Sequence, residues 1–161
     1  MAEEDVAAIE YAVVRALKNF DTIMSDEEHA LIRMALRQGR LLSRVADEKE
    51  RIESLRKVAD SLIVSREKVT SAWNEVNVAI SNLQKAYGSF AIKQLDSITT
   101  ARLKFENFLG RASGLSDILE GVLHEAADQG TAQKVIERLS AVREKESKVR
   151  QATANQQPPA V

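Results

Sequence analysis

The chain has 161 residues, of which 44% are apolar and 29% charged, and its formal net charge is −1. This balance is typical of a folded globular protein, and it argues against a disordered chain and against a protein that coats nucleic acid through bulk positive charge. The chain contains no cysteine, which excludes disulfides, cysteine-ligated metals and thiol catalysis.

The composition favours an all-α fold. Good helix formers dominate, and aromatic residues make up only 4%. The two prolines are Pro158 and Pro159, so no proline interrupts a helix before them. The start, Met-Ala-Glu-Glu-Asp, is acidic where a signal peptide is basic, and no apolar run approaches the roughly 20 residues of a membrane span. We therefore expect a cytoplasmic protein.

The first segment predicts a short amphipathic helix of about four turns, because its apolar residues recur at steps of three and four. These residues are Val6, Ile9, Val13, Ala16 and Phe20. Ser25 followed by Glu28 fits a capping box, in which the two side chains satisfy free backbone donors at a helix start. The second helix is therefore predicted to begin near Asp26.

A seam of apolar residues then runs from Leu31 to Phe90 with alternating steps of three and four, and fifteen of its eighteen positions are apolar. A 3.5-residue repeat of this length is typical of a left-handed coiled coil. We predict one coiled-coil-type helix over 26–87, packed with shorter helices in an elongated antiparallel bundle. A break at Gly39 or Ser65 stays open as an alternative, as does a plain antiparallel bundle whose helices happen to keep the same phase.

Three polar residues interrupt the seam: Gln38, Glu48 and Arg66. A polar seam residue costs stability but can fix register, whereas a dry unpaired charge is expensive. We therefore expect Glu48 and Arg66 at solvent-accessible layers.

Beyond the seam, residues 91–109 keep a helical pattern with a broader apolar face. Gly110 and Gly114 are predicted to end this helix, a short helix follows up to Gly130, and Thr131 opens the last one. The expected organisation is one helical domain over 1–152 and a disordered polar tail over 153–161.

Charge is distributed unevenly along the chain. Residues 1–30 hold eight acidic and two basic side chains, a net of −6, whereas residues 31–70 hold ten basic and six acidic ones, a net of +4. Arginine borders the first half of the seam, and small residues border the second half, where a further helix can approach closely. The predicted partner-binding residues combine the arginines with neighbouring seam positions: Arg33, Arg37, Arg40, Arg44, Arg51, Leu41, Val45, Ile52 and Leu55.

The arginines at 33, 37, 40 and 44 line one face of a helix, and three interpretations of this stripe are open. It can face the acidic first helix, either of the same chain or of a dimer mate. It can contact an anionic surface, meaning phospholipid head groups or an acidic partner protein. It can also be a plain solvated face.

Catalytic, metal and cofactor sites find no support in the sequence. Asp26 with His29, and Glu120 with His124, lack the companion carboxylates that a di-iron bundle requires. The glycines at 110 and 114 flank a segment without the lysine of a phosphate-binding loop. Trp73 occupies a seam position and is expected in the core. We predict no cofactor, no metal and no catalytic residue.

The predicted function is a non-enzymatic helical interaction protein, such as a scaffold, adaptor or assembly subunit. It would form a homodimer or higher oligomer, or bind a helical partner, through the seam. The alternative is a peripheral protein that lays its arginine face on an anionic membrane or granule surface. Nucleic acid is the less favoured partner, because the aromatic residues that would stack on bases lie on the seam.

Overall fold

The computed structural model describes residues 3–43, 47–87, 95–125 and 129–156, and these ranges contain four α-helices and no strand. The helices are α1 (Glu3–Ser43), α2 (Glu48–Tyr87), α3 (Leu95–His124) and α4 (Gln129–Ala154). They pack against each other, so the predicted all-α helical bundle is confirmed. None of the four combines the length and the apolarity that crossing a bilayer would demand.

The side-chain contacts between helices define an up-down-up-down bundle. Along α1 and α2, Asn19 meets Glu75 whereas Glu27 meets Ser65, so these helices are antiparallel. Contacts between α2 and α4 involve higher residue numbers in both helices together, so these two helices are parallel. Contacts of α3 with α2 and α4 run in opposite directions along the paired helices, so α3 is antiparallel to both. Helices α2 and α3 each contact all the others, while α1 and α4 do not touch within the described ranges.

Trp73 of α2 joins all four helices. Its ring stacks on Phe105 of α3, with centroids 5.5 Å apart, and meets the edge of Phe20 of α1 at 5.2 Å. Its indole Nε1 donates a hydrogen bond to Thr153 Oγ1 of α4 at 2.9 Å. Such aromatic contacts add about 0.5–1.5 kcal/mol each beyond the burial of their area. The prediction that Trp73 belongs to the core is confirmed.

The predicted helix start at Asp26 is wrong, because α1 continues through Ser25 as one helix of 41 residues. The stripe of the first segment does not stop at Phe20: Met24 and Glu27 extend it in phase to Leu31. A serine and a glutamate with capping-box spacing are equally tolerated inside a helix when the apolar face beneath them is uninterrupted.

The prediction of one helix over 26–87 is also wrong, since α1 ends at Ser43 and α2 begins at Glu48. Asp47 caps α2: its carboxylate accepts a hydrogen bond from the Lys49 backbone N–H at 3.3 Å, and its carbonyl accepts one from the Arg51 N–H at 3.0 Å. Asp47 and Glu50 have the spacing of a capping box. The seam keeps its steps of three and four across this boundary, so the spacing alone does not reveal the break.

The seam of α2 is buried by the chain's own helices. Its apolar positions from Leu55 to Leu83 are at most 5% exposed, and they pack on α1, α3 and α4. Ser65, Ala72 and Ala79, the small residues predicted to admit a neighbouring helix, are buried as well. The expected extended coiled-coil seam is therefore the core of a folded-back bundle.

The prediction that Arg66 lies at a solvent-accessible layer is wrong, although Glu48 is exposed. Arg66 has 0% of its surface exposed and binds Glu146 of α4 through both Nε, at 2.7 Å from Oε2, and Nη2. Nη1 and Nη2 also donate to the hydroxyls of Ser116 and Ser113 of α3. A seam position accepts this charge because a bidentate carboxylate and two hydroxyls satisfy its donors.

Two predicted boundaries in the C-terminal half are corrected. Helix α3 runs through Gly110 and Gly114, where a Cβ atom would meet nothing within 4 Å, so these exposed glycines are helical residues and not turns. The tail predicted to be disordered from Thr153 overlaps α4. Thr153 is buried, accepts a hydrogen bond from Trp73 Nε1 and donates one to Asn77 Oδ1. Residues 157–161 lie outside the described ranges.

Breaking the buried pair should destabilise the fold strongly. Glu146→Leu leaves the Arg66 guanidinium uncompensated in the core, and we expect the free energy of unfolding to fall by about 3–5 kcal/mol. The double variant Arg66→Met/Glu146→Leu should recover most of this loss, because both charges are removed together. Urea unfolding followed by circular dichroism measures both values.

The matched control is the exposed pair between Asp60 and Arg138, which joins the same two helices. Asp60→Leu should cost less than about 1 kcal/mol, as exposed ion pairs do. Equal costs for Glu146→Leu and Asp60→Leu would contradict the role assigned to the buried pair.

Gln38 offers a route to a more stable protein. It is 2% exposed, and its Oε1 accepts no hydrogen bond within the described part of the chain. Gln38→Met keeps the shape and removes the unsatisfied acceptor, so the free energy of unfolding should rise by about 1 kcal/mol. The same change at the exposed Gln133 of α4 should leave the urea midpoint unchanged, and a fall in stability for Gln38→Met would contradict this interpretation.

Candidate interaction surface

An open cleft of about 700 Å³ lies between α1 and α2, and three of the predicted arginines line it. We call this cleft the basic groove. Its cationic wall consists of Arg33, Arg37 and Arg40 of α1, and Lys68 of α2 stands on the opposite side. The arginines share one side of α1 because they follow each other at steps of four and three.

The residues that the structure describes do not neutralise the positive charge of the arginines by ion pairing. Arg33, Arg37 and Arg40 are all exposed, and none of them forms an ion pair with any residue of the described ranges. Three guanidinium groups within three turns of one helix repel one another, so an anion placed between them is favoured.

The two carboxylates of the groove are engaged elsewhere. Glu27 is 8% exposed, accepts a hydrogen bond from Ser65 Oγ at 3.0 Å, and lies 3.5 Å from Lys68 Nζ. Asp60 pairs with Arg138 of α4 at 2.5 Å. Neither carboxylate forms an ion pair with an arginine of the groove, and the α1 side therefore keeps its full positive charge.

Apolar side chains accompany the charges. Leu36 of α1 is 62% exposed and Val64 of α2 is 47% exposed, and both line the basic groove together with the small residues Ala30 and Ser61. An apolar strip bordered by cations is the pattern of a groove that receives an amphipathic helix with an acidic face.

The cleft between α1 and α2 continues toward the start of α1. Two smaller depressions follow it, and their walls include the small or amide side chains Ala16, Asn19, Ala72 and Ala79. Val78, which is 52% exposed, lines the farther one. Helices α1 and α2 thus present a shallow surface channel on their outer side, and only its end near Arg40 is strongly basic.

The structure separates the predicted partner-binding residues into three groups. Arg33, Arg37 and Arg40 lie together in the basic groove. Leu41, Arg51 and Ile52 are half-buried, and the two apolar ones among them pack against the core. Leu55 has 0% exposure, which corrects its assignment to a partner surface. Arg44 and Val45 lie outside the described residues.

One interpretation of the arginine stripe is overturned. The stripe and the acidic residues Glu3 to Glu10 belong to the same helix, α1, so they cannot face each other within one chain. About 27 residues separate Glu10 from Arg37, which corresponds to about 40 Å along the helix axis. Pairing with a dimer mate or with another anionic partner is not affected by this correction.

Sequence reasoning missed Leu36, Val64 and Lys68. All three lie off the heptad seam and its borders, where the sequence places the predicted seam contacts. The available signal was that Leu36 and Val64 are apolar residues outside seam positions in strongly charged stretches. An isolated apolar residue of this kind carries little information until the structure shows that two of them share one groove.

The described ranges contain no group of three or more histidine and acidic side chains that could hold a metal ion. His29 Nδ1 lies 2.7 Å from the carbonyl oxygen of Ser25 one turn earlier, and Glu120 accepts a hydrogen bond from Arg143 at 3.1 Å.

Comparison with known proteins gives no family: the chain matches no protein-family model, no curated protein and no solved structure.

Removing the charges of the basic groove should leave the fold intact. The triple variant Arg33→Gln/Arg37→Gln/Arg40→Gln loses no ion pair, and we expect the free energy of unfolding to change by less than about 1 kcal/mol. Arg143, which pairs with Asp117 and Glu120 across α3 and α4, is the control. Arg143→Gln should lower the urea midpoint more than all three groove substitutions together, and the reverse order would show that the groove arginines are structural.

Proposed function

We propose that this protein is a non-enzymatic helical interaction protein whose basic groove binds an acidic amphipathic helix of a partner chain. The observation that carries the proposal is the set of three exposed arginines, which have no ion-pair partner among the described residues, beside the exposed Leu36 and Val64. The partner helix would place carboxylates on the α1 side and an apolar edge along the groove floor.

Neither the arginines nor the apolar residues of the basic groove are sufficient for binding alone. An exposed ion pair contributes at most about 1 kcal/mol, and the three arginines together correspond to a weak and salt-sensitive interaction. Covering Leu36 and Val64 adds apolar burial at about 25 cal/mol per Å². The combination is suited to reversible binding, in which the charges accelerate encounter and the apolar contact prolongs the complex.

The site proposed for binding differs from the seam that the sequence indicated. The seam of α2 is occupied by the chain's own helices, so a partner reaches the outer side of the α1–α2 pair instead. Adaptor and assembly roles both use reversible helix-in-groove contacts.

The concave shape of the groove supports a protein partner over a membrane. A planar bilayer meets convex or flat basic faces, whereas the basic groove is a cleft between two helices. A single inserted helix can cover its apolar residues Leu36 and Val64 and meet its arginines at the same time. An adaptor for an acidic helix is therefore the better-supported function.

The test uses a fluorescently labelled amphipathic helical peptide with leucine on one face and glutamate on the other. Its affinity for the full chain is measured by anisotropy at low and high salt. We expect micromolar binding that weakens with salt, and a loss of about tenfold or more in Arg33→Glu/Arg37→Glu/Arg40→Glu, which corresponds to about 1.4 kcal/mol or more.

A matched control reverses three exposed basic residues on α3 and α4: Arg102, Arg111 and Lys134. This variant has the same net charge as the groove variant and should bind within about twofold of the wild type. The proposal is wrong if the peptide does not bind, or if the two variants weaken binding equally. Anionic vesicles form a parallel arm, and binding to them in the absence of peptide binding would favour the membrane alternative.

A further inference from the structure

The exposed side of α1 carries a second stripe with steps of three and four, separate from the residues that face the core. We call it the outward stripe. Its members are Glu4, Ala8, Tyr11, Arg15, Lys18, Thr22, Asp26, His29, Arg33, Leu36 and Arg40. Every side chain of the stripe from Ala8 onward is exposed, and Tyr11 and Leu36 are the most exposed large apolar residues of α1, at 65% and 62%. The stripe from Ala8 onward is thus a helix face that the described part of the chain leaves uncovered.

The outward stripe is symmetric about Thr22. A second copy of α1, antiparallel to the first and related by a two-fold axis beside Thr22, would place stripe residues at equal distances from Thr22 opposite each other. Lys18 then meets Asp26 of the second copy, and Ala8 meets Leu36. Opposite charges and two apolar residues are thereby matched, and the two-fold axis repeats each match.

The remaining pairs are also formed by residues at equal distances from Thr22. Tyr11 meets Arg33 of the second copy, where a guanidinium can stack on the phenol ring. The acidic start of α1, including Glu4, reaches the level of Arg40 at the end of the basic groove. Arg15 meets His29, which is the one pairing without attraction. Four of the five distinct pairs are therefore complementary in this alignment.

Because α1 is one continuous helix, its acidic start can stand level with its arginines only in a second copy. Acidic residues at the beginning of a helix and arginines at its end are held about 45 Å apart by the helix itself, so the chain cannot fold one onto the other. An antiparallel copy places Glu4 level with Arg40 and Tyr11 level with Arg33 at both ends by a single symmetry operation.

We propose that the partner at the basic groove is the start of α1 in a second copy, which meets Arg33, Leu36 and Arg40 in an antiparallel α1–α1 dimer with its two-fold axis at Thr22. This inference rests on the proposed function and names its partner. The stripe from Glu4 to Arg40 is about 54 Å long, and a single helix–helix contact of this length lies at the small end of specific interfaces. The dimer is therefore reversible and dependent on concentration and salt.

Disulfide trapping in the full chain tests the alignment directly, because the chain contains no cysteine of its own. Thr22→Cys places two thiols at the two-fold axis and should form a disulfide-linked dimer under mild oxidation. Ala8→Cys and Leu36→Cys alone should not, because each residue is about 42 Å from its own copy in the antiparallel alignment. Mixing these two variants, distinguished by a tag, should yield the mixed dimer.

A charge swap tests the same alignment without cross-linking. Lys18→Asp should weaken the dimer about tenfold in sedimentation, and the double variant Lys18→Asp/Asp26→Lys should restore it, because the two-fold axis pairs the exchanged charges again. Lys134→Asp on α4 is the control for net charge and should have no effect. Cross-linking of Ala8→Cys with itself would indicate a parallel dimer and overturn the proposal, as would a monomer at all concentrations.

The two proposals fail in different ways. If the chain stays monomeric and no thiol pair is trapped, while the acidic peptide still binds the groove, the second copy is not the partner and the groove function stands. If Ala8→Cys and Leu36→Cys form the mixed dimer and Arg33→Glu/Arg37→Glu/Arg40→Glu does not weaken it, α1 self-associates without using the basic groove. That second result would overturn the identification of the partner made above.

Discussion

The bundle depends on the buried contacts of α2. The seam of this helix carries Trp73, the largest side chain of the core, and Arg66, the one fully buried arginine among the described residues. Arg66 needs a carboxylate and hydroxyls at a defined height, and α4 and α3 supply them through Glu146, Ser113 and Ser116. Two turns further along, Trp73 binds Thr153 of α4. These polar contacts fix the axial position of α4 against α2, because apolar packing alone tolerates shifts by a turn.

The position of α1 follows from a different constraint. It packs on α2 and α3 but does not touch α4 within the described ranges, so the bundle leaves a broad part of its surface uncovered. Its buried side carries Val13, Phe20 and Leu31, and its exposed side carries the outward stripe and the arginines of the basic groove. Glu27 and Asp21 of α1 pair with Lys68 and Lys104. The arginines of the basic groove form no ion pair within the described residues, because one helix holds the acidic start of α1 far from them. The chain's fold thus creates the surface on which we base its function.

Much of this architecture was predictable from the sequence. The helical class, the core position of Trp73 and the burial of the α2 seam follow from spacing, because burial of an apolar face dominates helix packing. The arginines at 33, 37 and 40 were identified as a candidate surface for the same reason, since helical spacing places them on one side.

The errors have specific physical causes. Local capping signals are short, and Ser25 with Glu28 resembles a helix start as well as Asp47 with Glu50 does, so only tertiary contacts distinguish the true one. The sequence predicts Arg66 at a solvent-accessible layer because no partner for it is visible nearby. Its carboxylate partner, Glu146, lies 80 residues away in the sequence. The basic groove could not be assembled either, since Leu36 and Val64 come from different helices and share no periodic pattern.

The glycines of α3 have a consequence for how the bundle holds together. Gly110, Gly114 and Gly121 occupy exposed positions with open space where a side chain would stand, so no packing requirement explains them. Each lowers intrinsic helicity by about 1 kcal/mol relative to alanine, which a helix of this length does not offset in isolation. The helicity of α3 is therefore conditional on docking against α2 and α4. Local order and closure of the bundle become one cooperative event, and neither can persist without the other.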